Sequence, residues 1–167
     1  MKKLLALVLV ICSVFSLASC SLFTPKPPKD LEKVAKDLED SDDYYAIWSD
    51  DEDDMDHPGM VEYLYVRGED SSLSVVVFDS RKAAKLYYES LKIYREYQID
   101  SLENEIDQIE YTLKHYEDDL DSDVIDEYED DLKELKKELE ELKKETVIGK
   151  SGKRVWSGSK DLIKDIK

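Results

Sequence analysis

The sequence predicts an α+β protein: a small mixed or antiparallel sheet of about four strands, covered by helices on one face, with a long antiparallel helical hairpin inserted before the last strand. Three observations predict it. Aromatic and β-branched runs at 44–48, 61–66, 73–78 and 154–156 read as strands. Apolar residues at helical spacing lie on either side of them, at Leu31, Val34, Ala35 and Leu38 and again at Leu162, Ile163 and Ile166. Between Leu91 and Leu142 two heptad seams read as a pair of helices. The 167 residues include 41 acids against 24 bases, a formal charge of -17, which argues against nucleic acid and anionic lipid headgroups as direct partners because phosphate binding needs clustered Lys and Arg.

The amino terminus reads as an export leader. Lys2 and Lys3 are followed by an uninterrupted run, residues 4–17, holding nothing more polar than Ser and Cys. That is shorter than the roughly 20 apolar residues that span a bilayer. The run closes on Leu17-Ala18-Ser19-Cys20, which resembles the lipobox of bacterial lipoproteins at every position. The resemblance implies that residues 1–19 are removed and that Cys20, the first mature residue, takes a diacylglyceryl group on its sulfur. The lipid would be the only covalent group and would hold the chain on the extracytoplasmic face of the cell membrane. At ~0.8 kcal/mol per buried CH₂, two acyl chains hold stably where one holds marginally. The alternative is an ordinary signal peptide with Cys20 incidental. Loss of the leader, which carries two Lys and no acid, would leave 22 bases against 41 acids, a charge of -19. Cys12 would leave with it, so no disulfide, Cys-based metal site or Cys nucleophile would remain.

Residues 20–29 form a lipidated, Pro-rich tether with Pro25, Pro27 and Pro28, a composition that favours extended backbone. An α+β domain is expected over 30–92 together with 147–167. It opens on a short amphipathic helix capped by Asp30. Three strands follow, the second and third joined as a hairpin through 67–72, then a helix from Arg81 capped by Ser80 or Asp79, a strand at 154–156 and a terminal helix starting at Gly158-Ser159. The stretch 154–164, with this order of elements, resembles small uncharacterised lipoproteins of Gram-positive bacteria over about half the mature chain. That resemblance implies a fold type and an envelope location and brings no catalytic residues.

Residues 93–146 are the expected hairpin. Leu102, Ile106, Ile109, Leu113, Tyr116 and Leu120 form one seam, and Ile125, Tyr128, Leu132, Leu135, Leu139 and Leu142 the other, with the break at Asp121-Ser122-Asp123. Paired outward from the break, facing positions sum to 244 or 245 throughout, from Leu120 with Ile125 to Leu102 with Leu142. At 1.5 Å per residue the arm is about 27 Å long. Two readings follow: a self-contained spacer, or a surface whose tip or flank docks an envelope protein or a second arm.

Candidate chemistry is sparse. Asp50, Asp51, Asp53, Asp54 and Asp56 with His57 are weak candidate cation ligands, because clustered oxygens suit Ca²⁺, but their spacing is not that of an EF-hand. His57 and His115 are too far apart in sequence and setting to suggest a shared site. Tyr44, Tyr45, Tyr63, Tyr65, Tyr87 and Tyr88 lie in the α+β part and Tyr94 and Tyr97 just beyond it at the base of the hairpin, and an open sheet face there could stack a sugar or accept a peptide. No Gly-x-Ser-x-Gly occurs, and Gly149-Lys150-Ser151 lacks the upstream Gly of a phosphate loop. The expected function is a non-enzymatic interaction or scaffold module at the cell envelope. The alternative is a solute-, glycan- or cation-binding lipoprotein using the tyrosine face or the acidic loop.

Overall fold

The computed structural model describes residues 25–116, 120–144 and 146–166, so the leader, Cys20 and the first half of the tether lie outside the described residues. In chain order the elements are α1 (Leu31–Leu38), β1 (Tyr45–Ser49), a 3₁₀ turn (Glu52–Asp54), β2 (Met60–Arg67), β3 (Ser72–Phe78), α2 (Arg81–Tyr116), α3 (Ser122–Lys144), β4 (Thr146–Ser151), β5 (Arg154–Ser159) and α4 (Lys160–Asp165). All strand pairs are antiparallel, in the order β1-β2-β3-β5-β4. The fold is α+β, as the sequence predicts. The caps form as expected: Asp30 accepts from the Lys33 N–H at 3.0 Å, and Ser80 rather than Asp79 accepts from the Ala83 N–H at 3.1 Å.

Two details differ from the expectation. The sheet has a fifth strand, β4, whose Gly149 and Lys150 interrupt the apolar pattern by which a strand is read, so the arm precedes a β4–β5 hairpin rather than a lone last strand. Helices also lie on both faces of the sheet rather than one. The reason is β3, apolar in both directions: Leu73 and Val75 join Leu64, Val66 and Trp156 under α1 and α4, while Val76 and Phe78 join Val155 and Ala84 under α2. Glycine makes the crowded end of the sheet possible. A Cβ on Gly149 would lie 2.2 Å from Cε2 of the buried Trp156, and one on Gly158, at φ +150°, would lie 2.2 Å from the Ser72 carbonyl oxygen.

The tether ends against this hairpin. Pro27 is buried, and Arg154 at the start of β5 donates to the carbonyls of Pro28 and Lys29.

The arm closes in the expected register. Glu110 pairs with Lys136 at 2.7 Å and Glu103 with Lys143, positions that each sum to 246. Ile106 is buried and the other seam leucines are half-buried, as a two-helix seam must leave them. Arg95 fastens the root by donating to the Leu142 and Lys143 carbonyls at 2.7 and 3.1 Å, where a cation also favours the α3 C-terminus. Three residues depart from the expectation. Ser122 and Asp123, expected in the turn, are already helical, because the Asp121 carbonyl accepts from the Val124 and Ile125 N–H groups. Tyr116 is exposed, its ring 6.3 Å from that of Tyr111.

Candidate functional site

The α2 face of the sheet changes character along the strands. Near Val76, Phe78 and Val155 it is apolar, and α2 packs on it through Ala84 and Tyr87, whose ring lies 5.2 Å from Phe78. Two and four residues further along, the same face carries Ser74 and Ser72 on β3 and Ser157 and Ser159 on β5. Small hydroxyl side chains cannot fill the space beneath a helix. A cleft of about 410 Å³ remains, floored by these serines and bounded by Tyr65 of β2, Tyr87 and Leu91 of α2 and Glu141 of α3. Its volume falls in the range of small-molecule sites.

The pairing register explains the floor. Ile47, Tyr65, Ser74, Ser157 and Ile148 form one continuous row across all five strands. Side chains in such a row share a face, so Tyr65 stands beside the two serines. Among the described residues only the Ser159 hydroxyl of the four is engaged within the chain, accepting from the Leu162 N–H at 3.4 Å. Asp70 and Glu141 add carboxylates to the lining. Hydroxyls that both donate and accept, carboxylates that accept and a flat tyrosine wall suit a ligand rich in hydroxyl groups.

Sequence reasoning did not find this cleft. Ser72 falls in the expected turn 67–72 and Ser159 in the expected helix start at Gly158-Ser159. The signal available was Ser-x-Ser in each of two neighbouring strands, a period-two polar pattern on one sheet face.

The open aromatic face lies on β1 and β2. Tyr45 is 61% exposed, Ile47 is exposed, and Tyr63 and Tyr65 are half-buried beside them. The other tyrosines are distributed differently. Tyr44 packs against the α1 core, Tyr87 and Tyr88 pack from α2 against the Val76–Phe78–Val155 cluster, and Tyr94 and Tyr97 stand on α2 facing solvent.

The acidic loop folds as a turn rather than a cage. Asp51 accepts from the Asp53 N–H at 3.1 Å and Ser49 donates to Asp54 at 2.7 Å, both at exposed positions. Asp50, Asp51, Asp53, Asp54, Asp56 and His57 are not gathered as ligands: no group of three or more His, Cys, Asp or Glu side chains among the described residues could hold a metal ion. What the loop does is lend its field to neighbouring phenols. Burial first, and then the carboxylates of Asp54 and Asp56, push Tyr63 above the ordinary phenol range; burial and then Asp56 do the same to Tyr87. The His57 ring lies 5.0 Å from that of Tyr87 and His115 lies 4.4 Å from Tyr111, so the two imidazoles stand in separate surroundings.

Cys20 lies outside the described residues, among which no helix is long and apolar enough to cross a membrane. Compared with known proteins, the chain matches no family model, no curated protein and no solved structure.

Proposed function

We propose that the chain is a lipid-anchored protein of the extracytoplasmic membrane face, held through Cys20, and that it acts as a non-enzymatic interaction module of the cell envelope. The observation that supports this reading is the continuity of α2. One helix of 36 residues begins on the sheet, walls the cleft and runs to the far end of the arm. A partner met by the arm is therefore mechanically continuous with the domain nearest the membrane. Crosslinking and pull-down from intact cells tests it, comparing the full chain with one in which residues 99–144 are replaced by a short Gly/Ser turn. Loss of the captured proteins from a shortened chain that stays folded and membrane-bound supports the module. Capture of the same proteins by both chains refutes it.

The cleft favours a second reading, binding of a glycan or another polyhydroxylated solute between the serine floor and Tyr65. Replacing Ser74 and Ser157 by Val would fill the floor while retaining β propensity. Calorimetric titration of the purified chain with envelope-type oligosaccharides should then lose its heat signal. No heat with the unaltered chain sinks this reading.

A further inference from the structure

The solvent side of α2 is not the charged surface that its composition leads one to expect. Leu86, Ser90, Ile93 and Tyr97 lie along one line of the helix near its base. Ser101, Asn104, Gln108, Tyr111 and His115 continue that line outward. The steps are 4, 3, 4, 4, 3, 4, 3 and 4, so the line stays on one face for its whole length. Every one of these side chains is exposed, and none is Asp, Glu, Lys or Arg, in a chain that is 39% charged. The line lies opposite the seam that meets α3, since Leu102, Ile106, Ile109 and Leu113 fall half a turn away. Thus α2 has two uncharged faces, and α3 covers one of them.

We propose that the second face pairs with the same face of another copy of this chain, the two α2 helices running parallel. Leu86, Ile93, Tyr94, Tyr97 and Tyr111 are each between 57% and 69% exposed. Together they offer on the order of 600 Å² per chain, against the roughly 800 Å² per partner of a standard interface, and the five smaller polar residues supply the rest. Charge selects the partner and the direction. Two chains of net charge -17 can approach here without burying a carboxylate. One flank of the line carries Lys85, Glu89, Lys92, Glu96 and Asp100 and continues outward through Glu103, Asp107, Glu110 and Lys114, while the other carries Tyr94, Gln98 and Thr112 with Glu105 as its only charge. A parallel two-fold sets the charged flank of one chain against the nearly neutral flank of its partner; an antiparallel one sets charged against charged. Parallel pairing also puts Leu86, Ile93 and Tyr97 against their own copies and Asn104 against Asn104, a polar pair of the kind that fixes register. The acids of the charged flank make an anionic lipid surface a poor occupant.

The proposal adds a homotypic partner to the interaction module argued above and rests on that reading only for its use in the cell. Sedimentation equilibrium of the full chain in detergent should give a dimer at tens of micromolar. Ile93→Glu with Tyr97→Glu should weaken the dimer at least about a hundredfold, because each introduced carboxylate would be desolvated without a partner. Glu96→Gln, on the charged flank, should leave it unchanged. Ser90→Cys should oxidise to a disulfide-linked homodimer under conditions where the unsubstituted chain does not. A monomeric wild type, a dimer unaffected by the double variant, or Ser90→Cys crosslinks that form only to Tyr111→Cys or to a different protein overturns the parallel pair. A monomer that still captures envelope proteins through its arm would remove the pairing and leave the module standing.

Discussion

Gly149→Ala places one methyl group where the structure has no room for it. The added carbon would sit 2.2 to 2.5 Å from Cε2, Cζ2 and Nε1 of Trp156, whereas carbon atoms in favourable contact stand about 3.5–4.0 Å apart. The indole must move by more than about 1 Å, yet it is 2% exposed and packed in the α1 and α4 core. Overpacking of this kind costs about 1–3 kcal/mol, and expulsion of the whole ring would cost roughly 4–6 kcal/mol at 25 cal/mol/Å². The Trp156 Nε1 has no hydrogen-bond partner among the described residues, so no bond pins the ring and the lower end applies. We expect a loss of about 2–3 kcal/mol, which for a chain of 167 residues lowers Tm by roughly 4–12 °C. Urea unfolding followed by far-UV circular dichroism measures it. Trp156→Leu should relieve the clash, so the double variant should be less destabilised than the two single costs added together. A Gly149→Ala protein within about 0.5 kcal/mol of wild type, or strict additivity in the double variant, would show that β4 does not press on the indole.

Cysteines placed at Leu113 and Leu132 should form an intramolecular disulfide readily, since facing positions in a close helix pair can reach the ~4.4–6.8 Å Cα separation the bond requires; cysteines at Leu113 and Ile125 should not, and equal oxidation rates would sink the register. Cys20→Ala should yield a chain that is either uncleaved or released from membranes, and normal maturation with unchanged retention would mean that Cys20 is not the lipid acceptor. In an ultraviolet titration Tyr63 and Tyr87 should ionise above the ordinary phenol range, and Tyr87→Phe should shrink that late class. The same shifts carry a stability consequence. Unfolded phenols release protons near pH 10 while these two retain theirs, so stability from this source is intact below about pH 10 and falls as pH rises beyond it; a flat stability profile from pH 9 to 11 would contradict the burial of these two phenols beside the acidic loop.

The arm was legible because its signal is local and repeated. Six seam residues on each helix leave little freedom of register, and the ion pairs Glu103–Lys143 and Glu110–Lys136 fall within two positions of the expected sums. Strands β1, β2 and β3 were legible for a similar reason, their aromatic and β-branched runs. β4 was not, because Gly149 is selected by the ring lying across it and not by strand propensity. The second helical layer was written in Val75-Val76-Val77-Phe78, whose uninterrupted apolarity marks a strand buried on both sides. The cleft was hidden for a different reason: Ser72, Ser74, Ser157 and Ser159 become one floor only after β3 and β5 pair, and 82 residues or more separate the two strands' serine pairs. Contacts of that range leave no periodicity in a single segment.

Because one unbroken helix both walls the cleft and carries the arm, α2 is a lever with a short input and a long output. Tyr87 and Leu91 are the input end, pressed against the sheet. From Leu91 to Tyr116 the helix runs 25 residues, about 38 Å. A tilt of about 10° at the root, the scale on which a side-chain cluster reseats around a small ligand, would sweep the far end through roughly 6 to 7 Å. The carbonyl contacts of Arg95 would carry α3 along with it. An adjustment of about 1 Å at Tyr87 beside the serine floor, about 6 Å from a pivot at Leu91, would thus be read at the far end of the helix as a displacement larger than a full helical turn.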